Sequence, residues 1–113
     1  MSVFYKIQGY NLTISSLTTV LSIDASSVAI VKEITVANDT TSSTEVNFYV
    51  RDSSASTEYK FYHTFIVANN TEYAVNNTLI LEEGDRLKFQ SATGNAISGQ
   101  ISYALINREQ HNG

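Results

Sequence analysis

Between Thr78 and Gln90 the chain alternates, breaks and alternates again, and this stretch does most to restrict the fold. Leu79 and Leu81 share one side of the first run, Leu87 and Phe89 share one side of the second, and Glu82-Glu83-Gly84-Asp85 lies between. A period of two is the signature of a half-buried strand, so the stretch reads as two strands and a tight corner. The corner either joins paired strands or carries the chain from one sheet to another. In both cases its apolar side needs a core, and Gly84 is the residue expected at positive φ.

The same period recurs along the chain. Val46, Phe48 and Val50 alternate with Glu45, Asn47, Tyr49 and Arg51, the cleanest half-buried strand. From Ala29 to Ala37, Ile30, Ile34 and Val36 are expected on one face and Glu33 and Thr35 on the other, with Lys32 breaking the pattern as the mark of an edge. Val3, Tyr5 and Ile7 hold one phase and Tyr10, Leu12 and Ile14 the other, so a bulge or turn is expected at Gly9. Leu17 to Ile23 is apolar without strict alternation and is read as a strand closed by Asp24-Ala25-Ser26-Ser27. In Tyr59 to Val67, Tyr59, Phe61, His63, Phe65 and Val67 share one face and Tyr62 and Ile66 the other. Tyr73 to Val75 and Ile97 to Leu105 add further strands, and Gly99 weakens the start of the last. Nothing longer than a turn reads as helix.

The expectation is therefore an all-β chain: a single-domain antiparallel β-sandwich, jelly-roll or immunoglobulin-like, of about seven or eight strands. Residues 1–14 form an N-terminal arm or first strand, 15–106 the sandwich, and 107–113 a polar tail. A chain of 113 residues buries enough surface to stand without staples. It has no cysteine, which removes disulfide frameworks, zinc ribbons and thiol nucleophiles. The N-terminus lacks the features of a signal peptide, and no run is long enough to span a bilayer, so no membrane partner is expected. A net charge of −4 with seven Lys and Arg argues against nucleic acid, whose binding needs clustered cations. Charged residues make up 16% of the chain, leaving a neutral polar surface suited to lateral packing in an assembly.

Catalytic signals are missing. His63 and His111 have no acid or nucleophile at a recognisable spacing, and no serine sits in a Gly-x-Ser-x-Gly setting. No enzyme activity, cofactor or metal is expected; Glu82, Glu83 and Asp85 lack the ladder of a calcium loop and read as a solvated turn. Four Asn-x-Ser/Thr triplets read as chance in so Asn-, Ser- and Thr-rich a chain. Tyr49 and Tyr62 stand off the apolar phase of their strands and are candidates for an interface or a sugar-stacking platform. An exposed aromatic face is a liability unless something covers it, so Tyr49, Tyr62 and Ile66 join Val3, Phe4, Tyr5 and Ile7 as the candidate interface residues.

Lys32-Glu33-Ile34-Thr35-Val36-Ala37-Asn38 with its Ser/Thr loop, Val46-Asn47-Phe48-Tyr49-Val50, the corner Leu79 to Leu87, and Ile101-Ser102-Tyr103 together resemble small virion proteins of tailed bacteriophages. The resemblance covers roughly two-thirds of the chain, from Val31 to Ile106, and its motifs are structural. It implies a capsid decoration (cement) protein, made in the host cytoplasm and placed on the capsid surface, whose partners are the major capsid protein and itself, as a homotrimer. The alternatives are a carbohydrate-binding module and a small tail or baseplate component contacting the host surface.

Overall fold

The computed structural model describes residues 2–76 and 78–107, which form nine strands: β1 (Ser2–Leu12), β2 (Thr18–Ser22), β3 (Ser27–Asn38), β4 (Thr44–Asp52), β5 (Thr57–Val67), β6 (Thr71–Val75), β7 (Leu79–Leu81), β8 (Arg86–Ser91) and β9 (Ile97–Asn107). They make two antiparallel sheets. Sheet I has the order β1-β9-β3-β6, with β7 also on β3, and sheet II has the order β2-β8-β4-β5. Strands β6 and β7 follow one another along the same side of β3, at Ile34–Asn38 and Ala29–Val31. Nine strands thus fill eight positions, and the protein is a β-sandwich.

The winding decides between the two expected topologies. Taken in order, the strands visit sheets I, II, I, II, II, I, II and I, with β6 and β7 counted as one position, so only β4 and β5 are a hairpin within one sheet. An immunoglobulin sandwich keeps several sequential pairs in one sheet, whereas a jelly roll folds a long ribbon across the two. The chain is a jelly roll. Among the described residues no helix is long and apolar enough to cross a membrane.

The core is aromatic at its centre. Phe48 and Phe89 of sheet II meet edge to face at 4.7 Å, Tyr10 of sheet I meets Phe89 at 5.1 Å, and each such contact adds about 0.5–1.5 kcal/mol to simple burial. Leu12, Val31, Ile34, Val36 and Ile101 from sheet I face Val46, Val67 and Leu87 from sheet II. The corner works as a hub. It carries the chain from β7 in sheet I to β8 in sheet II, and Gly84 takes φ +82° as expected. Asp85 is buried, and its carboxylate accepts the Glu82 N–H at 2.8 Å and the Ser53 N–H at 3.1 Å. Gly84 N–H donates to Ile23 O at 3.0 Å. One aspartate thereby ties the β7–β8 corner to the β4–β5 loop, next to the end of β2.

Four expectations change, each because of how the strands pair and pack. Lys32 marks a bulge in central strand β3, between Val31 and Glu33 of the pairing with β9, not an edge. The bulge reverses the phase, so Ile30 lies with Glu33 and Thr35 on the outer face, opposite Ile34 and Val36. Gly9 is neither bulge nor turn: β1 pairs with β9 without interruption from Ser2↔Asn107 to Leu12↔Ile97. The apolar residues simply change face, outward at Val3, Tyr5 and Ile7 and inward at Tyr10 and Leu12. Strand β5 carries two irregularities against β4, at Val46/Phe48 and Phe48/Tyr49, so strict alternation fails and Phe61 and Tyr62 both pack on Phe48, at 6.1 and 5.8 Å between ring centres. Gly99 does not weaken β9. A Cβ there would lie 1.9 Å from Thr35 O, so only glycine lets β9 approach β3. The poorly patterned Leu17 to Ile23 is a strand as expected, and a register shift between Thr19 and Leu21 explains why Val20 and Leu21 are both buried.

Candidate functional surfaces

The outer face of sheet I is divided along its strands. At one end, cross-strand neighbours form two apolar rows: Val3, Ile106 and Val28 in the first, and Tyr5, Ala104, Ile30 and Ile80 in the second. Ile7 adjoins them on β1. Tyr5 is 85%, Ile7 67% and Ile80 62% exposed. Towards the other end the rows turn polar, running through Gly9, Gln100 and Thr35 and then Asn11, Ser98 and Ala37. Here Tyr10 donates its hydroxyl to Thr35 O at 2.7 Å, and burial raises its pKa above the ordinary 10.0. A shallow depression at this end is lined by Tyr10, Thr35, Ser98, Gly99 and Gln100 among others, none of them a carboxylate, histidine or lysine.

Apolar side chains directly opposite one another are the unit of sheet stabilisation, and they normally lie on the buried face. Two such rows on the open face, one across three strands and one across four, make a contiguous apolar patch of the kind that marks an interaction site. The patch ends at an open edge. Among the described residues strand β1 has no neighbour beyond it in sheet I; it is 11 residues long, and its sequence contains one charge, Lys6, and no proline. Long, flat, weakly charged edges are usually protected. The other edge of sheet I is split into β6 and β7, and the sheet II edges β2 and β5 are irregular.

The candidate interface residues therefore fall into separate groups. Val3, Tyr5 and Ile7 come together on the outer patch, and Phe4 has the opposite phase, beside Leu105. Tyr49 lies on the outer face of sheet II, level with Lys88 on one side and Lys60 on the other. Tyr62 is half-buried against Phe48 rather than turned outward. Ile66 is 61% exposed at the β5 edge, opposite Glu45. His111 and the tail from 108 onward lie outside the described residues. Sequence reasoning missed Val28, Ile30, Ile80 and Ile106. The first three were legible as a second apolar phase in their strands, but only the Lys32 bulge brings Val28 and Ile30 onto the face that Tyr5 occupies.

Sheet II has a different outer face. Arg51 of β4 stands directly opposite Arg86 of β8, and Tyr49 opposite Lys88. Lys88 donates to Glu58 at 2.6 Å, and that hydrogen bond lowers the Glu58 pKa below the ordinary 4.5. Among the described residues no three His, Cys, Asp or Glu side chains are grouped to hold a metal ion.

No protein-family model matches the chain, and no curated protein matches its sequence. Its fold is similar to solved structures of viral capsids and of a pilus. A chain in the virus-like particle of the extra small virus of the giant freshwater prawn Macrobrachium rosenbergii superposes with a TM-score of 0.58 at 9% identity, over 96% of this chain and 80% of that one. A chain in the acidic stable capsid of Helicobacter pylori bacteriophage KHP30 gives 0.57 at 11% identity, over 94% and 88%. A chain of the Bacillus endospore appendages, described as a novel family of disulfide-linked pili, gives 0.52 at 13% identity, over 94% and 86%. At these identities the likeness is one of fold. Having no cysteine, this chain cannot form a disulfide-linked assembly.

Proposed function

We propose that this protein is a non-enzymatic structural subunit of a virion, a capsid decoration protein that stabilises the phage head by bridging capsid subunits. The observation that carries the reading is the apolar patch of Val3, Tyr5, Ile7, Ile30 and Ile80 on the open face of sheet I, continuous with the free edge of β1. Fully burying one such side chain is worth about 1.5–3 kcal/mol, so covering the patch stabilises a complex substantially. The β1 edge adds main-chain donors and acceptors for strand addition. Repeated over a shell, contacts of this size reinforce one another through multivalency. The similarity of fold to chains of two viral capsids supports the reading. β1 is hydrogen-bonded to β9 along its length, so its contribution is an edge and a face on the folded domain. The partners are the major capsid protein and further copies of the chain, as a homotrimer.

The test is occupancy of undecorated heads of the parent phage by the wild-type protein and by Tyr5→Lys/Ile7→Lys, with solution mass measured by light scattering. Saturable binding that the double variant loses, with its fold intact, is the expected result. Undiminished binding by the variant removes the patch from the mechanism. Failure of the wild-type protein to bind heads removes the decoration role and favours the tail or baseplate reading. A wild-type monomer at all concentrations removes the trimer.

A further inference from the structure

The outer face of sheet II concentrates positive charge on a chain whose net charge is −4. Arg51, Lys60, Arg86 and Lys88 all lie there, on three adjacent strands and in two consecutive rows, and they are four of the seven Lys and Arg in the sequence. Arg51 and Arg86 are direct cross-strand partners. Like charges so placed destabilise a sheet, and among the described residues neither guanidinium forms an ion pair. Glu58 is the cross-strand neighbour of Arg51 on the other side and is attracted to its charge, but its carboxylate is bonded to Lys88. In the next row Tyr49 stands between Lys88 and Lys60. Neighbouring strands lie about 4.8 Å apart, and same-face residues along a strand about 6.7 Å apart. The cations therefore form a flat grid with one aromatic ring inside it.

We propose that this face binds an acidic polysaccharide, a sugar chain bearing carboxylate or sulfate groups. Arg51, Arg86 and Lys60 hold the acidic groups, and Tyr49 offers its ring to a sugar between them. Such a chain adds negative charge where Glu58 alone faces Lys88 and the Arg51–Arg86 pair, and each guanidinium can grip a carboxylate or sulfate with two parallel hydrogen bonds. Nucleic acid fits less well. Backbone binding to nucleic acid rests on many Lys and Arg contacts to phosphates, whereas this face has three cations that are not already paired with Glu58. The proposal is independent of the decoration role, since the apolar patch of sheet I lies on the opposite side of the sandwich.

The experiment titrates the protein against fluorescein-labelled polygalacturonate, dextran sulfate, neutral dextran and oligo-dT in 50 mM salt, then repeats the binding series across salt concentration. Polygalacturonate and dextran sulfate are expected to bind, neutral dextran not, with log K falling against log salt at a slope of about −2 for three contacts. Arg51→Gln/Arg86→Gln should weaken binding at least tenfold without lowering the melting temperature, because it relieves a like-charge pair. Lys6→Gln/Lys32→Gln removes equal charge from sheet I and should change affinity less than twofold. Absence of binding to either acidic polymer overturns the proposal, as does equal weakening by both double variants. Tighter binding of oligo-dT than of either acidic polymer overturns it in favour of a nucleic-acid surface.

Discussion

Two residues show how sharply single positions control this fold. Gly99 admits no side chain: its Cβ would also lie 2.8 Å from the Thr35 carbonyl carbon and 2.9 Å from the Tyr10 hydroxyl, so Gly99→Ala must push β9 away from β3. We expect a loss of about 3 kcal/mol in chemical denaturation. Gly9→Ala on neighbouring β1 meets nothing nearer than 3.9 Å, and stability should stay within about 0.5 kcal/mol. Asp85 is the second such position. Asp85→Ala leaves the N–H groups of Glu82 and Ser53 without their carboxylate acceptor, which should cost about 3 kcal/mol. Asp85→Asn should recover part of that, because its single carbonyl oxygen can accept from only one of the two donors. Neither role was legible beforehand. Gly99 looked like a weak point in a strand, and Asp85 looked like one more charge in a solvated turn, because Thr35, which crowds Gly99, and Ser53, which Asp85 ties to the corner, are each more than thirty residues away in sequence.

At the scale of elements, a bulge decides which side chains meet. In β3 the residues on either side of Lys32 keep regular pairing with β9. Deleting Lys32 leaves Val31, Glu33 and Ile34 alternating without interruption. The deletion variant should fold, with a loss of about 1 kcal/mol from the altered twist. Deleting Thr35 instead turns Val36 and Asn38 to the wrong face, since a one-residue slip exchanges the faces of a strand, and this variant should not give a cooperative thermal transition. The clean alternation of Val46 to Val50 and the corner from Leu79 to Phe89 were readable from residue type alone. Strand β5 was not, because its two irregularities come from pairing with β4, and they turn Tyr62 onto Phe48 despite its place in the alternation.

For the whole molecule, the titrating groups define the range of pH over which it is stable. Asp24 and Asp52 have pKa values below the ordinary 3.8, held down mainly by the Ser26 N–H and the Ser54 hydroxyl respectively, and Glu58 is lowered by its hydrogen bond from Lys88. A lowered carboxylate favours the folded state above its unfolded pKa, and that contribution disappears as pH falls through the folded value. Tyr10, raised by burial, has the opposite sense: its contribution is complete below pH 10 and declines above it. Thermal stability should therefore hold a plateau between about pH 5 and pH 10 and fall on both sides, and Tyr10→Phe should lessen the alkaline fall. Residue order by itself determined that the chain is a β-sandwich and that Val3, Tyr5 and Ile7 share one face of their strand, because alternation and turn chemistry are local properties. Only the tertiary structure decided the jelly-roll winding, the joining of Val28, Ile30, Ile80 and Ile106 to those three, and the gathering of Arg51, Lys60, Arg86 and Lys88 on the other sheet. Each of these depends on which distant strands pair and in what register, and backbone hydrogen bonds carry no label of the residue that makes them.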